Sequence, residues 1–421
     1  MQKLGFWFEN HRIATVDLSS PELGNAGVGG TEYQFVLLAY LLLLMKPEDV
    51  EVTFFLEAKQ SLPKGIKQVV VPDLNAAYKK SSAQSDDFLI FRPRRDITDE
   101  IIQISFNKTK LIPWLHITPK RNYLDWFVNN PVIHRVVFVG DDQRLRTIDH
   151  KVFANSSTIF NASCGIYKAT GTRKNNSVVY LGALVPRKGF HILAKAWSDV
   201  RKEIPQAELF VVGSGALYDK NAQLGSLKLA ESSYEDQFVN LLGGEDGIQR
   251  LGVHFLGNLG LEKKNIIDSA TVGVVNPSGL TENCPMSVVE FYQSGVPVVS
   301  SVKYGMRDMI VSGETGVLCR SSSDLSAALI KFLNGSLDSE RFGSKGIEFA
   351  KEKFSPELIV ENWMQIFAGE FKATGKPKGY WVHRSLAIIK RLHLLPSNFP
   401  MVEDQKIYLA RLRDKFLKIR R

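Results

Sequence analysis

Short apolar runs alternate with helix-length segments twice along the chain, and this alternation constrains the fold more than any other feature. Strands separated by helix-length segments form βαβ units and a mostly parallel sheet. The sequence therefore predicts an α/β fold of two doubly wound, Rossmann-like domains that face each other across a cleft. The runs lie at residues 3–9, 50–56, 88–91, 110–116, 135–139 and 152–160, and again at 178–184, 208–212, 254–256, 272–276 and 296–300.

A polar, glycine-containing break at residues 168–177 separates the two series of strands. Such a segment, without apolar periodicity, is typical of a linker. We therefore predict an N-terminal domain at 1–170 and a second domain at 171–368. Residues 369–421 form a helical, basic extension, part of which is expected to cross back to the first domain.

The longest apolar run, at residues 35–45, is about half the roughly 20 residues that a membrane-spanning helix needs. It predicts a buried helix. The first residues lack the pattern of a secretory signal, and the three cysteines are too widely spaced to indicate a disulfide framework or structural zinc. These features favour a cytoplasmic location.

Positive charge is concentrated at the end of the chain. Residues 371–421 contain thirteen Lys or Arg and three acidic residues, which gives +10, whereas the whole chain carries +9. Residues 382–395 and 407–421 each combine an apolar stripe with basic flanks, a pattern typical of helices in an anionic membrane interface. The alternatives are a solvated helical face or, for 382–395, packing against the first domain. Nucleic acid is not an expected partner, because the aromatic residues do not interleave with the basic ones.

The densest chemical pattern is NPSGLTENCPMSVVE, at residues 276–290. A strand ends in a Pro-Ser-Gly loop, and Pro285 is predicted to begin a helix. Backbone N–H groups near Asn283, Cys284, Met286 and Ser287 then face outward, where the helix dipole favours a phosphate. The carboxylates of Glu282 and Glu290 flank this helix start and are suited to binding hydroxyl groups. Helix capping by Glu282 with a solvated Glu290 is the alternative.

This segment, together with residues 295–318, resembles the signature of the retaining glycosyltransferases of family four, which have the GT-B fold. The matching residues are Glu282, Pro285 and Glu290, followed by Gly305, Asp308 and the run Gly313-Glu314-Thr315-Gly316. The sequence VYLGALVPRKG at 179–189 is similar to the family's VGRLxxxKG motif, and Gly29-Gly30-Thr31-Glu32 is similar to its GGxE loop.

The resemblance implies a nucleoside-diphosphate sugar, with UDP as the expected nucleotide, as donor and a hydroxyl of a glycan or lipid-linked molecule as acceptor. Glu282 would hold donor-sugar hydroxyls, Glu290 would bind the ribose diol, and His116 would contact the sugar near its reactive carbon. Lys188 would stabilise the negative charge of the leaving diphosphate, assisted by Arg187. Gly29 and Gly30 would let the backbone approach the phosphate closely.

One residue departs from the family pattern, because Ala183 occupies the position of the family's diphosphate-binding arginine. Either Arg187 replaces that arginine, or Lys188 and the helix N–H groups hold the phosphate alone. The chain has no D-x-D triplet, the usual metal-binding element of the other major glycosyltransferase fold. We predict that the reaction needs no metal and no cofactor. A sugar-nucleotide epimerase of the same fold and an inactive carbohydrate- or nucleotide-binding protein are the alternative functions.

Overall fold

The computed structural model describes residues 1–93, 109–164, 173, 176–217 and 223–370. It contains a seven-stranded sheet in the first half and a six-stranded sheet in the second. The paired strands of both sheets run parallel, as the alternation of strands and helices predicts. The linker prediction and the boundary at residue 171 fall largely outside the described residues, as does the extension beyond residue 370.

The first domain has the strand order β3-β2-β1-β4-β5-β6-β7. Its elements are β1 (Gln2–Phe8), α1 (Gly30–Met45), β2 (Val50–Leu56), β3 (Lys67–Val70), α2 (Leu74–Ala83), β4 (Phe88–Phe91), β5 (Lys110–Leu115), α3 (Arg121–Asn129), β6 (Val136–Phe138), α4 (Asp141–Leu145) and β7 (Ser156–Thr158).

The second domain has the strand order β10-β9-β8-β11-β12-β13. Its elements are β8 (Ser177–Leu181), α5 (Phe190–Glu203), β9 (Glu208–Val212), α6 (Ser232–Leu241), α7 (Gly244–Arg250), β10 (Val253–Gly257), α8 (Lys263–Asp268), β11 (Val272–Val274), α9 (Met286–Gln293), β12 (Val298–Ser301), α10 (Met306–Met309), β13 (Gly316–Cys319), α11 (Ser322–Leu333), α12 (Ser339–Phe354) and α13 (Pro356–Ala368).

Alternate side chains of the first sheet enter two different cores, because neighbouring residues of a strand point to opposite faces. Phe6 and Phe54 pack on the α1 side, whereas Trp7 and Phe55 pack on the side covered by α2 and α3. Helix α1 is apolar around most of its circumference and is buried along most of its length, which confirms the buried helix predicted from its composition. No helix among the described residues is long and apolar enough to cross a membrane.

The final described helix, α13, joins the two domains. Ser355 caps its start by accepting a hydrogen bond from the N–H of Leu358, and Trp363 packs edge-on against Trp114 of β5 with ring centroids 5.1 Å apart. At its end, the carbonyl of Phe367 accepts a hydrogen bond from the Gln2 side chain. Although α13 lies within the range assigned to the second domain, it packs on the first, and one apolar core runs through both domains.

Candidate active site

The predicted site residues occupy loops that follow the carboxyl ends of strands, where parallel sheets bind their ligands. Gly29 and Gly30 lie at the start of α1, and His116 directly follows β5 in the first domain. In the second domain, Arg187 and Lys188 follow β8, and Glu282 lies in the loop between β11 and α9. The carboxyl edges of both sheets therefore contribute to the candidate site.

The structure pairs the two predicted catalytic residues of the second domain. Lys188 Nζ forms an ion pair with Glu282 Oε1, and the two side chains are only 18% and 10% exposed. Burial and then the neighbouring Arg187 lower the pKa of Lys188 to about 8, so the ammonium form still predominates at neutral pH. A positive charge is thus held beside a carboxylate in a poorly solvated place, where electrostatic interactions are stronger than in water.

The loops that carry Lys188 and Glu282 are in direct contact. Gly189, which follows Lys188, has φ of 73°, and a Cβ at this position would lie 2.5 Å from the backbone nitrogen of Ser278. Only glycine fits this left-handed position at so close an approach. The Ser278 hydroxyl also donates a hydrogen bond to the carbonyl of Arg187. The Arg-Lys-Gly turn and the Pro-Ser-Gly loop therefore form one unit.

Helix α9 begins one residue later than predicted, with Pro285 as its N-cap and Met286 as its first residue. This is the ordinary uncertainty of a helix end. No described side chain caps the first turn, in which Met286 and Ser287 are half-buried. Cys284 is buried, and burial raises the pKa of its thiol to about 12, so the thiol remains protonated. The binding of a phosphate at this helix start remains a prediction.

The side chain of Glu290 has a partner that the sequence interpretation missed. Lys263 Nζ at the start of α8 lies 2.8 Å from Glu290 Oε1, and each side chain is 11% exposed. The two carboxylates predicted to bind the donor thus each use Oε1 for an ion pair with a lysine. The only sequence signal for Lys263 is its place at the start of a helix after β10, where parallel sheets place ligand-binding residues.

His116 lies against aromatic rings of the first domain. Its ring centroid is 4.5 Å from that of Trp114 and 6.0 Å from that of Phe35. Both ring nitrogens are buried without a hydrogen bond of normal geometry to any described residue. Burial, together with the charge of Arg92, lowers the pKa of His116 to about 3, so the imidazole is neutral. A buried polar group without a partner is costly, which makes His116 a candidate for binding a ligand.

Hydrogen bonds between the domains bring His116 to the loop that carries Glu282. The side-chain amide of Asn283 donates to the His116 carbonyl at 3.0 Å, and the amide of Asn161 donates to the Cys284 carbonyl at 3.3 Å. A third bond runs from the Asp142 N–H to Asp308 Oδ2 at 2.8 Å. Asn283 and Cys284, predicted as phosphate-binding positions, therefore also join the two domains in this structure.

Gly29 and Gly30 lie at the start of helix α1. Gly29 is the N-cap of α1 and Gly30 its first residue, and no side chain caps this helix start. Glu32 in the first turn forms an ion pair with Arg92 at 2.7 Å. A Cβ added at Gly30 would meet no described atom within 4 Å, and neither glycine has a positive φ. The fold of the described residues therefore does not itself require glycine at position 30.

No group of three or more His, Cys, Asp or Glu side chains among residues 1–93, 109–164, 173, 176–217 and 223–370 is arranged to hold a metal ion. Lys188, Lys263 and the exposed Arg187 bring positive charge to the candidate site.

Residues 168–349, which contain Lys188, Lys263, Glu282 and Glu290, match the family described as glycosyl transferases group 1. This part of the chain is similar to the glycosyl transferases of group 1, and the match covers less than half of the chain. The predicted resemblance is confirmed at this level for the second half of the chain.

Curated relatives share limited identity with this chain. The chain is 26% identical over 239 residues to poly(ribitol-phosphate) alpha-N-acetylglucosaminyltransferase of Staphylococcus aureus, a match that covers 56% of this chain and 44% of the relative. The chain thus spans less than half the length of this curated relative.

Solved structures confirm the predicted GT-B fold of two Rossmann-like domains. Anabaena HepE in complex with UDP-glucose superposes with a TM-score of 0.62 at 18% identity, covering 87% of this chain and all of HepE. S. aureus TarM superposes with a TM-score of 0.56 at 20% identity, covering 70% of this chain and 58% of TarM. At these identities the likeness concerns the fold.

Proposed function

We propose that the protein is a metal-independent, retaining glycosyltransferase that moves a sugar from a nucleoside-diphosphate sugar, with UDP as the expected nucleotide, to a hydroxyl group. The acceptor is a glycan or lipid-linked molecule used in cell-surface polysaccharide synthesis. The observation that carries the proposal is the poorly solvated Lys188–Glu282 pair beside the uncapped start of α9, with neutral His116 at the opposite domain edge.

Each part of this arrangement has a task in sugar transfer. The bond between the sugar and the diphosphate breaks, and the diphosphate takes its electron pair. The acceptor oxygen bonds to the sugar, and the proton of its hydroxyl passes to the departing diphosphate. Lys188 and the start of α9 stabilise the developing charge on the diphosphate. Glu282 accepts hydrogen bonds from sugar hydroxyls through its second oxygen, because Oε1 is engaged by Lys188.

The remaining predicted residues bind the nucleotide and the sugar. Glu290, held by Lys263, accepts hydrogen bonds from the ribose diol. Neutral His116 contacts the donor sugar through the ring nitrogens that have no described partner. At Gly30, where the described residues leave room for a side chain, glycine is needed because the bound diphosphate approaches the backbone. With Ala183 in place of the family's arginine, Arg187 assists Lys188.

The names of the relatives support the donor and acceptor classes. HepE is crystallised with UDP-glucose, and the S. aureus relative is named for the transfer of N-acetylglucosamine to poly(ribitol-phosphate). The first is consistent with a UDP-sugar donor, and the second with a polymer as acceptor.

The test is a panel of nucleotide sugars incubated with the purified protein, with and without short glycan and polyol-phosphate acceptors. Release of nucleoside diphosphate and a glycosylated product are expected, and the anomeric configuration of the product, read by NMR, should match the donor. Inversion would refute the retaining mechanism. Interconversion of the donor sugar without release would support an epimerase, and binding without turnover would support an inactive binding protein.

The residue assignment is tested by Glu282→Ala. We expect turnover to fall on the order of 10² to 10⁴-fold with nucleoside-diphosphate binding little changed, because the sugar contacts act at the transition state. Glu348→Ala on the exposed face of α12 is the matched control. Turnover of Glu282→Ala within a few-fold of the control would refute the role of Glu282.

A further inference from the structure

Asn276, two residues after the end of β11, is a buried polar residue to which the proposed chemistry gives no task. It is 2% exposed and has φ of 36°, a positive φ that residues with a side chain adopt only rarely. Asparagine tolerates this region better than most residues because its amide can bond locally. This backbone conformation allows the Asn276 side chain to form hydrogen bonds with the loop that follows it.

The orientation of the Asn276 amide is fixed by its neighbours. Its Oδ1 accepts a hydrogen bond from the N–H of Gly279 at 3.1 Å and lies 2.8 Å from Ser278 Oγ, whose single proton is shared between Oδ1 and the Arg187 carbonyl. Since a backbone N–H can only donate, the atom facing Gly279 must be the oxygen. The amide nitrogen therefore points the other way.

That nitrogen donates to Glu282. Asn276 Nδ2 lies 3.3 Å from Glu282 Oε1 and 3.1 Å from the Leu280 carbonyl. Glu282 Oε1 is the same oxygen that pairs with Lys188. Two donors thus converge on one carboxylate oxygen, which fixes the plane of the carboxylate and leaves Oε2 for a ligand.

The same amide is linked to the turn that carries Lys188. Ser278 hydrogen-bonds to Asn276 Oδ1 and to the carbonyl of Arg187, and it also receives a hydrogen bond from the N–H of Leu280 at 3.0 Å. Asn276 and Ser278 therefore set the position of Glu282 relative to Lys188 through bonds to both of their loops.

We propose that Asn276 is a positioning residue, which holds Oε1 of Glu282 so that Oε2 faces the donor sugar; this rests on the proposed function. A misplacement of about 1 Å at a reacting group can reduce turnover about 100-fold. Asn276 acts through Glu282, so its removal reduces turnover and leaves nucleotide affinity intact.

The test compares kcat and KM for the donor in Asn276→Gly and Asn276→Asp. Glycine accepts the left-handed backbone without strain, so Asn276→Gly removes the side chain without a conformational penalty. We expect its kcat to fall about 10- to 100-fold with KM within about threefold of the original. Asn276→Asp should lose more, because its carboxylate repels that of Glu282. Asn176→Gly, at another left-handed asparagine with φ of 64°, is the matched control and should retain full turnover.

A double-mutant cycle separates positioning from a general structural role. In a Glu282→Gln background, Asn276→Gly should reduce kcat by less than threefold further, because the group that it positions is already changed. The inference is overturned if the reductions in kcat caused by the two substitutions multiply in the double variant. It is also overturned if Asn276→Gly loses nucleotide binding, or if the kcat of Asn276→Gly stays within threefold of that of the original protein. If Glu282→Gln itself retains full turnover, the proposed role of Glu282 fails instead.

Discussion

Asp308 provides a quantitative test of the joint between the two domains. Its carboxylate oxygen Oδ2 accepts the N–H of Asp142 in the first turn of α4, so a side chain of the second domain caps a helix of the first. Burial, opposed by the Asp142 N–H and aided by the charges of Asp141 and Asp142, raises the pKa of Asp308 to about 7. The only cation among the causes, Lys353, acts weakly in the opposite direction.

The free energy of unfolding should therefore depend on pH through this residue. In the unfolded chain the pKa is near its ordinary value of 3.8, against about 7 in the folded protein. Between these values the unfolded chain releases a proton that the folded protein keeps, so stability falls as pH rises from about 4 to about 7 and is level above. A difference of about three pH units corresponds to about 4 kcal/mol.

The variant Asp308→Asn removes the titration, and its amide oxygen still accepts the Asp142 N–H. We expect its stability relative to the original protein to increase by up to about 4 kcal/mol between pH 4 and pH 8. Urea unfolding followed by circular dichroism at several pH values measures this difference. Asp199→Asn, at an exposed position of α5, is the control for the loss of one carboxylate. The reasoning would be refuted if the difference in unfolding free energy between Asp308→Asn and the original protein did not change with pH, or if Asp308→Asn were the less stable protein at pH 8.

Three further predictions concern the substrate site and the end of the chain. In steady-state assays, Glu290→Gln should raise KM for the donor more than it lowers kcat, because the ribose is bound alike in the ground and transition states. Lys263→Met should have the same effect, whereas Lys263→Arg should retain part of the affinity for the donor. Added EDTA should leave transfer intact, and loss of activity that Mg²⁺ or Mn²⁺ restores would contradict our account of charge stabilisation. The residues after Glu403 lie outside the described part of the chain. Their deletion should abolish salt-sensitive sedimentation of the protein with anionic vesicles and leave nucleotide binding in place. If the truncated protein still sediments with the vesicles, the membrane prediction is refuted.

The residue types along the chain determined the secondary structure and the fold class. Strands β2 and β4 coincide with the predicted runs at 50–56 and 88–91, and helix α13 begins at the predicted Ser-Pro pair. These signals are local, since apolar periodicity, caps and prolines act within a few residues. The motif around Glu282 and Glu290 also lies within one short segment, so the sequence was sufficient to place it at a helix start.

Tertiary structure decided which distant residues meet at that site. Lys263 and Glu290 form a buried ion pair through the packing of α8 against α9, and Asp308 reaches α4 across the joint between the domains. Helix α13 lies on the first domain although it follows the second in sequence. Such contacts depend on how rigid elements dock, which local propensity does not encode. The sequence alone thus determined the elements and the principal motif, whereas the packing of two domains determined the partners of each charged group.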